Sequence, residues 1–232
     1  MNKKEISINT DDGNFMGYLS SPEQDGPGII VIQEIFGVNQ WLRNICDMLA
    51  SHGYHALAPD LFWRLQPGIQ LDPTNENDFN KGLELYGNFN VDQSIIDIQA
   101  SIDWLKKSDR CTGKVGSIGY CLGGLLTYLT ASRTNINASS GYYGVGIEGL
   151  LTEATEIKTP TLLHFAEKDG FVPKETAEII CNKFKDNDHV TTFMYQDCDH
   201  GFARDTDPSH YNEEAANLAN TRSLDLFQKT LK

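Results

Sequence analysis

The segment Gly119-Tyr120-Cys121-Leu122-Gly123 constrains the fold of this chain more than any other feature. Residues 115–119 predict a short buried strand, and the apolar spacing of residues 122–131 predicts a helix. Gly-x-Cys-x-Gly between a strand and a helix is the nucleophile-elbow pattern, with cysteine in the place where serine is usual. A Cβ two residues before or after the nucleophile would push strand and helix apart, which explains both glycines. The pattern therefore predicts that Cys121 is raised above the edge of a sheet.

Cys121 has two interpretations. At a helix N-terminus, the partial positive charge of free N–H groups favours the thiolate, which is the nucleophilic form of cysteine. The alternative is a buried cysteine in an ordinary strand-to-helix turn, which this short pattern also permits. A catalytic role requires an acid and a base further along the chain.

Apolar runs alternate with helical spacings along the sequence, and Asp12-Gly13 predicts the turn of a hairpin. The predicted strands are residues 6–8, 15–19, 29–32, 54–58, 115–119, 138–145, 161–166 and 190–195. The predicted helices are residues 39–51, 76–89, 91–106, 122–131, 173–185 and 212–229. This alternation predicts an α/β fold with a mostly parallel sheet and helices on both faces. The length of 232 residues fits one domain, residues 1–232.

Asp169 and His200 each follow a predicted strand directly, in that order after Cys121. The α/β-hydrolase fold has the same chain order, with nucleophile, acid and histidine at the carboxyl ends of successive strands. Each residue alone fits an ordinary turn or loop, but their joint placement predicts a Cys121-Asp169-His200 triad. Of the other histidines, one is expected in the core and four at the surface or in loops: His164, and His52, His55, His189 and His210.

Glu34 follows the apolar strand 29–32 and should therefore open onto the same edge of the sheet as Cys121. From spacing alone, a carboxylate near the start of the helix that follows Asn39 is the favoured interpretation. The backbone beyond Glu34 is a separate candidate, because the loop at this place usually gives one N–H to an oxyanion hole. The two expected oxyanion donors are the N–H groups of Ile35 and Leu122.

Composition excludes several classes of protein. The 40% hydrophobic and 10% aromatic content argues against disorder, and no apolar run is long enough to span a bilayer. The first residues lack an apolar signal core, so a cytoplasmic location is expected. The net charge of −13 disfavours nucleic acid and anionic membranes as partners. The odd number of cysteines and the absence of C-x-x-C argue against disulfides and zinc: Cys46, Cys111, Cys121, Cys181 and Cys198. All except Cys121 are expected to be small buried hydrophobes. Cys198 has a second interpretation, since it lies two residues before His200 and approach to Cys121 in space is the alternative.

Six segments of the chain resemble signatures of the dienelactone hydrolase (carboxymethylenebutenolidase) family. They are Gln33-Glu34-Ile35-Phe36-Gly37-Val38-Asn39, Pro59-Asp60-Leu61, Leu71-Asp72-Pro73, Gly119-Tyr120-Cys121-Leu122-Gly123-Gly124, Gly141-Tyr142-Tyr143-Gly144-Val145-Gly146 and His200-Gly201-Phe202-Ala203-Arg204. The resemblance extends over nearly the full length and implies the α/β-hydrolase fold.

The resemblance also implies roles for single residues. It implies the Cys121-Asp169-His200 triad. It implies that Glu34 holds the resting thiol and is redirected when substrate binds, so that the thiolate forms only when needed. It implies that Arg204 binds a substrate carboxylate.

The chain departs from the family where the substrate is expected. In characterised lactonases of the family, the insertion after Pro59-Asp60-Leu61 carries a second arginine, a tyrosine four residues later and a nearby tryptophan. An alignment without gaps gives Phe79, Leu83 and Tyr86 at these positions. Arg64 is an alternative source of the second cation.

The sequence as a whole predicts a cysteine hydrolase that cleaves a small lactone or activated ester, without metal or cofactor, as a monomer or weak homo-oligomer. A rival class is a non-catalytic ligand-binding or thiol-sensing protein on the same fold. The presence of Asp169 and His200 with Cys121 argues for the enzyme, because a binding protein needs no base and no residue to orient it.

Overall fold

The computed structural model describes residues 1–232, which form eight strands and six α-helices. The strands are β1 Asn2–Thr10, β2 Gly13–Ser21, β3 Gly26–Ile32, β4 His55–Pro59, β5 Cys111–Tyr120, β6 Ala138–Tyr142, β7 Thr161–Ala166 and β8 Val190–Tyr195. The helices are α1 Gln40–Ser51, α2 Glu76–Gly87, α3 Val91–Lys107, α4 Leu122–Arg133, α5 Lys174–Phe184 and α6 Glu213–Leu231. No helix has the combination of length and apolar character that crossing a membrane requires.

The strands form one sheet in the order β1-β2-β4-β3-β5-β6-β7-β8. β1 and β2 are antiparallel and joined at the predicted Asp12-Gly13 turn, with Thr10 paired to Gly13. β2 is also antiparallel to β4, whereas β3 pairs with β4, β6 with β7 and β7 with β8 in parallel. The sheet is therefore mostly parallel, as predicted.

The chain divides into two compact units, Met1–Ser117 and Ile118–Lys232. In the first unit, β3 is fully buried, as its continuous apolar sequence requires, and α1 and α3 pack on the neighbouring strands. In the second unit, α4 packs on β6 and β7, and its residues 122–131 are all buried. A helix that is apolar on all sides is suited only to such an enclosed position.

Several boundaries differ from the prediction. β5 begins at Cys111, four residues earlier than predicted. The prediction missed these four residues because they are largely exposed and carry no apolar signal. β6 ends at Tyr142, since Tyr143 has φ +38° and turns the chain away from the strand direction. A 3-10 helix at Ile147–Glu156 was not predicted. His55 was expected at the surface, but it is the first residue of β4 and is buried.

Candidate active site

The turn between β5 and α4 holds Cys121 in a strained conformation. Its φ of 56° and ψ of −115° lie in a region that side chains other than glycine rarely occupy. A Cβ on Gly119 would lie 2.2 Å from the Gly123 carbonyl oxygen and 2.5 Å from Thr127 Oγ1. Gly119 therefore permits the close approach of strand and helix that the sequence pattern predicts.

The backbone around Cys121 ties the turn to β6 and to the start of α4. The Cys121 N–H donates to the Tyr142 carbonyl at 3.0 Å, and the Cys121 carbonyl accepts from Gly124 N–H at 2.9 Å. Leu122 is the first residue of α4, so its N–H has no acceptor within the helix. No acidic residue lies in the first turn of α4. This helix end can therefore stabilise negative charge next to the partly exposed Cys121.

Asp169 follows β7 and is fixed by hydrogen bonds to both carboxylate oxygens. Its Oδ1 accepts from the N–H groups of Phe171 at 2.8 Å and Val172 at 3.0 Å. Its Oδ2 lies 2.9 Å from His200 Nδ1, and both side chains are buried. The two backbone donors hold the carboxylate so that its second oxygen faces the imidazole.

His200 forms side-chain hydrogen bonds with both Asp169 and Cys121. Burial favours the neutral imidazole, but the charge and hydrogen bonding of Cys121 and Asp169 outweigh burial and raise the pKa of His200 to about 10. The imidazole therefore binds a proton more strongly than a free histidine does. Its environment suits a group that takes the proton of a neighbouring thiol.

Two aromatic rings that the sequence analysis did not assign to the site enclose His200. Phe171 and Tyr143 both meet the imidazole edge-on, with centroid distances of 4.8 Å and 4.9 Å. Phe171 is 52% exposed, whereas Tyr143 is buried. Phe171 lies only two residues after Asp169, so its position in the sequence was an available signal. The contact of Tyr143 depends on its positive φ, for which the sequence carries no comparable signal.

Glu34 and Ile35 lie in the loop directly after β3, and both are buried. The favoured interpretation of Glu34 as a helix-start carboxylate is wrong. The N-cap of α1 is Asn39, whose side chain accepts from Leu42 N–H at 3.1 Å, and the first turn of α1 contains no acidic residue. Burial of Glu34 at 2% exposure therefore has a cause other than capping.

The three predicted pocket residues of the insertion lie on α2. Phe79 packs against Phe36 with a centroid distance of 6.2 Å. Leu83 is 41% exposed and Tyr86 is 36% exposed. Close contact of α2 with the loop after β3 explains Gly82, because a Cβ there would lie 2.9 Å from the Ile35 carbonyl oxygen. Phe79 therefore contacts this loop, whereas Leu83 and Tyr86 present much of their surface to solvent.

The two candidate cations differ in their surroundings. Arg204 is buried, and its Nη2 donates to Asp207 Oδ2 at 2.9 Å. Arg64 Nη2 lies 2.9 Å from Asp12 Oδ1 and 3.0 Å from Asp97 Oδ1. Arg64 is therefore already paired with two carboxylates, which argues against Arg64 as the second cation for a substrate carboxylate.

All five cysteines are free thiols. Cys46 and Cys198 are buried, as predicted, but Cys111 and Cys181 are only partly buried. Burial and the charge of Asp197 raise the pKa of Cys198, which opposes thiolate formation there. No group of three or more His, Cys, Asp or Glu side chains is arranged to hold a metal ion.

Comparison of the sequence with known proteins shows the family to which the chain belongs. The model of the dienelactone hydrolase family matches residues 15–231. Carboxymethylenebutenolidase of Pseudomonas putida is 39% identical over 224 residues, which cover 96% of this chain and 94% of that protein. Carboxymethylenebutenolidase 1 of Cupriavidus pinatubonensis is 34% identical over 216 residues, which cover 93% of this chain and 92% of that protein.

Solved structures agree with the family model. A Klebsiella pneumoniae crystal structure, provisionally named a dienelactone hydrolase, superimposes with a TM-score of 0.85 and 28% identity, covering 98% of each chain. The Pyrococcus furiosus esterase Pf2001 shares the fold, with a TM-score of 0.72 and 18% identity over 100% of this chain and 94% of that chain. The chain belongs to the dienelactone hydrolase family.

Proposed function

We propose that this chain cleaves a lactone or an activated ester through Cys121, Asp169 and His200, with a thiol acyl-enzyme as intermediate. The observation that carries the proposal is the pair of hydrogen bonds from His200, one to Cys121 and one to Asp169. A nucleophile bonded to a base, with the base oriented by a carboxylate, is the arrangement of nucleophilic catalysis. The names of the relatives, carboxymethylenebutenolidases, support a lactone as the substrate class.

The first step is attack of the Cys121 thiolate on the carbonyl carbon. His200 takes the thiol proton, a C–S bond forms and the carbonyl electrons move to oxygen. The Leu122 N–H at the start of α4 and the Ile35 N–H are the proposed donors to this oxyanion. When the tetrahedral intermediate collapses, the C–O bond to the leaving group breaks, and the departing enolate-like group takes the proton from His200, which becomes neutral again.

The second step is hydrolysis of the thioester. Neutral His200 removes a proton from water, and the resulting hydroxide attacks the acyl carbon. The C–S bond then breaks to release the carboxylic acid and the Cys121 thiolate, which takes the proton back from His200. Asp169 keeps Nδ1 of His200 as the donor side of the ring, so that the other nitrogen faces the reacting atoms. No step requires a metal or a cofactor.

Glu34 is proposed to control the resting thiol, as its match to the family glutamate implies. A carboxylate near a thiol disfavours the thiolate by repulsion and accepts a hydrogen bond from the protonated form. Glu34→Gln removes the charge, so the Cys121 thiol should ionise more readily. In a plot of alkylation rate against pH, the rise should lie at a lower pH than in the parent. An identical pH profile in both proteins would remove Glu34 from the mechanism.

The substrate pocket is proposed to use Arg204 as its cation and Phe79, Leu83 and Tyr86 as its apolar wall. One arginine in place of two would weaken the preference for anionic lactones and favour bulkier apolar substituents. Arg204 is buried, and it lies only four residues after His200 in the sequence. Both facts support a role for Arg204 at the reacting end of the pocket.

The test is an assay of purified protein against a panel of lactones and aryl esters, with Cys121→Ala and Cys198→Ala as a matched pair. Hydrolysis should be lost in Cys121→Ala and stay within a few-fold of the parent in Cys198→Ala, while both fold. Equal loss in both variants would indicate a redox pair. Tight binding of lactones without turnover in the parent would indicate a binding or thiol-sensing protein.

A further inference from the structure

The chain after His200 folds back in consecutive turns that bring an acid onto Arg204. Arg204 N–H donates to the Gly201 carbonyl at 2.8 Å, and Asp207 N–H donates to the Arg204 carbonyl at 3.1 Å. These turns place Asp207 Oδ2 2.9 Å from Arg204 Nη2, with both side chains buried. The pair is local, so the turns fix its geometry.

Asp207 is held from more than one side. The N–H and the hydroxyl of Ser209 both donate to Asp207 Oδ1. His210 Nδ1 lies 2.8 Å from Asp207 Oδ2, the oxygen that Arg204 also contacts. Burial favours the neutral acid, but the hydrogen bonds from Ser209, Arg204 and His210 outweigh it and lower the pKa of Asp207 to about 2. Asp207 therefore carries a full negative charge near neutral pH.

The guanidinium of Arg204 lies against the residue that follows His200. A Cβ on Gly201 would lie 2.9 Å from Arg204 Nη2 and 3.1 Å from Cζ. The backbone of Gly201, with φ +80°, leaves the space that the guanidinium occupies. A residue that fixes the position of this guanidinium, or offsets its charge, therefore changes the surroundings of the segment next to His200.

We infer that Asp207 is a specificity-determining residue that positions Arg204 and offsets part of its charge, so that the site accepts neutral esters alongside carboxylated ones. This inference rests on the proposed function. The N–H that Arg204 gives to Asp207 is withheld from a substrate carboxylate, and the negative charge of Asp207 repels that carboxylate. Asp207 itself is a positioning residue and touches no reacting atom.

The test compares Asp207→Asn with Asp205→Asn. Asparagine at 207 keeps an acceptor for Arg204 and removes the charge, whereas Asp205 is exposed and its substitution changes the net charge equally. The first readout is kcat/KM for a lactone carboxylate divided by kcat/KM for its methyl ester. The ratio should rise about tenfold in Asp207→Asn and stay within twofold of the parent in Asp205→Asn.

The second readout needs no turnover. It is the rate of Cys121 alkylation by iodoacetate divided by the rate for iodoacetamide, two probes of similar size and different charge. This ratio should also rise in Asp207→Asn, and the rise should disappear when Arg204→Gln is added. A merely structural role would slow both probes alike and leave the ratio unchanged.

The outcomes separate the inference from the proposed function. If hydrolysis is normal and neither ratio rises, Asp207 does not set specificity while the hydrolase assignment stands. If no ester is hydrolysed but the alkylation ratio rises, the hydrolase assignment fails while the effect of Asp207 on the charge presented by Arg204 stands. Asp207→Ser, which is also neutral and smaller, serves the same comparison if the asparagine variant does not fold.

Discussion

Asp169 Oδ2 lies 2.9 Å from His200 Nδ1, and the same carboxylate accepts two backbone N–H groups through Oδ1. The acid is thus fixed independently of the imidazole that it orients. This arrangement ties the orientation of His200 to a turn at the end of β7, because Phe171 and Val172 supply the two N–H donors.

Asp169→Asn should lower kcat/KM for an aryl ester by about 10²- to 10⁴-fold, the usual contribution of an oriented general base. Loss of the Asp169 charge lowers the pKa of His200, so less imidazolium remains to favour the Cys121 thiolate. In a plot of alkylation rate by iodoacetamide against pH, the rise that marks thiolate formation should therefore lie at a higher pH than in the parent. Asp188→Asn, an exposed control of equal charge change, should match the parent.

Gly119→Ala should destabilise the fold by about 2 kcal/mol or more, since the added methyl meets a backbone carbonyl of α4 that has little freedom to move. Gly149→Ala is the matched control, because nothing lies within 4 Å of its Cβ position. Its free energy of unfolding should change by less than about 1 kcal/mol. Urea denaturation measures both, and equal stability of the two variants would refute the steric account of the elbow.

Sequence reasoning predicted the elements that depend on local pattern. The β7 and β8 boundaries agree with the prediction at both ends, because each is a short apolar run between turn residues. The 3-10 helix at Ile147–Glu156 was not predicted, because its apolar residues lack the 3.6-residue spacing of an α-helix. It also has a kink at Leu150.

The chain order of Cys121, Asp169 and His200 was visible in the sequence, but the side chains around them were not. Contacts of Phe171 and Tyr143 with His200 arise from backbone turns after β7 and β6. The pairing of Asp207 with Arg204 likewise depends on consecutive turns that have no strong sequence signature. Packing across such turns is set by the folded geometry, which pattern and spacing do not encode.

Acid should destabilise the protein through His164, which is buried in the second unit. Its Nδ1 lies 2.9 Å from the Tyr195 hydroxyl and its Nε2 lies 3.2 Å from Ser140 Oγ. Burial and the charge of Arg222 lower the pKa of His164 from 6.5 to about 3. Between these values the unfolded chain takes up a proton that the folded chain does not, so stability is lost as pH falls below about 6.5.

The predicted loss from His164 is about 2 kcal/mol at pH 5 relative to pH 7. Urea denaturation at both pH values should show it as the difference between the parent and His164→Gln, because the raised pKa of His200 contributes in the opposite direction in both proteins. His164→Gln should remove most of this pH dependence, whatever its own stability, whereas His189→Gln, which changes an exposed histidine, should keep it. The same pH dependence in all three proteins would show that His164 is not the group responsible.

Phe79→Arg should increase the preference for a carboxylated lactone over its methyl ester by about one to two decades in kcat/KM. The reason is that an arginine here would supply the second cation that the proposed pocket lacks. Asn80→Arg, at the next and exposed position of α2, adds the same charge and should change the preference little. If the parent already prefers the acid strongly and Phe79→Arg adds nothing, the second cation lies elsewhere.

The most direct test of the account is identification of the acylated residue during turnover. The parent protein is mixed with p-nitrophenyl acetate, quenched in acid before the steady state, and digested for peptide mass spectrometry. One acetyl group is expected on Cys121, at a level that matches the initial burst of p-nitrophenol. Release of p-nitrophenol with no acetyl group on Cys121, or with the acetyl group on another residue such as Cys198, would contradict it.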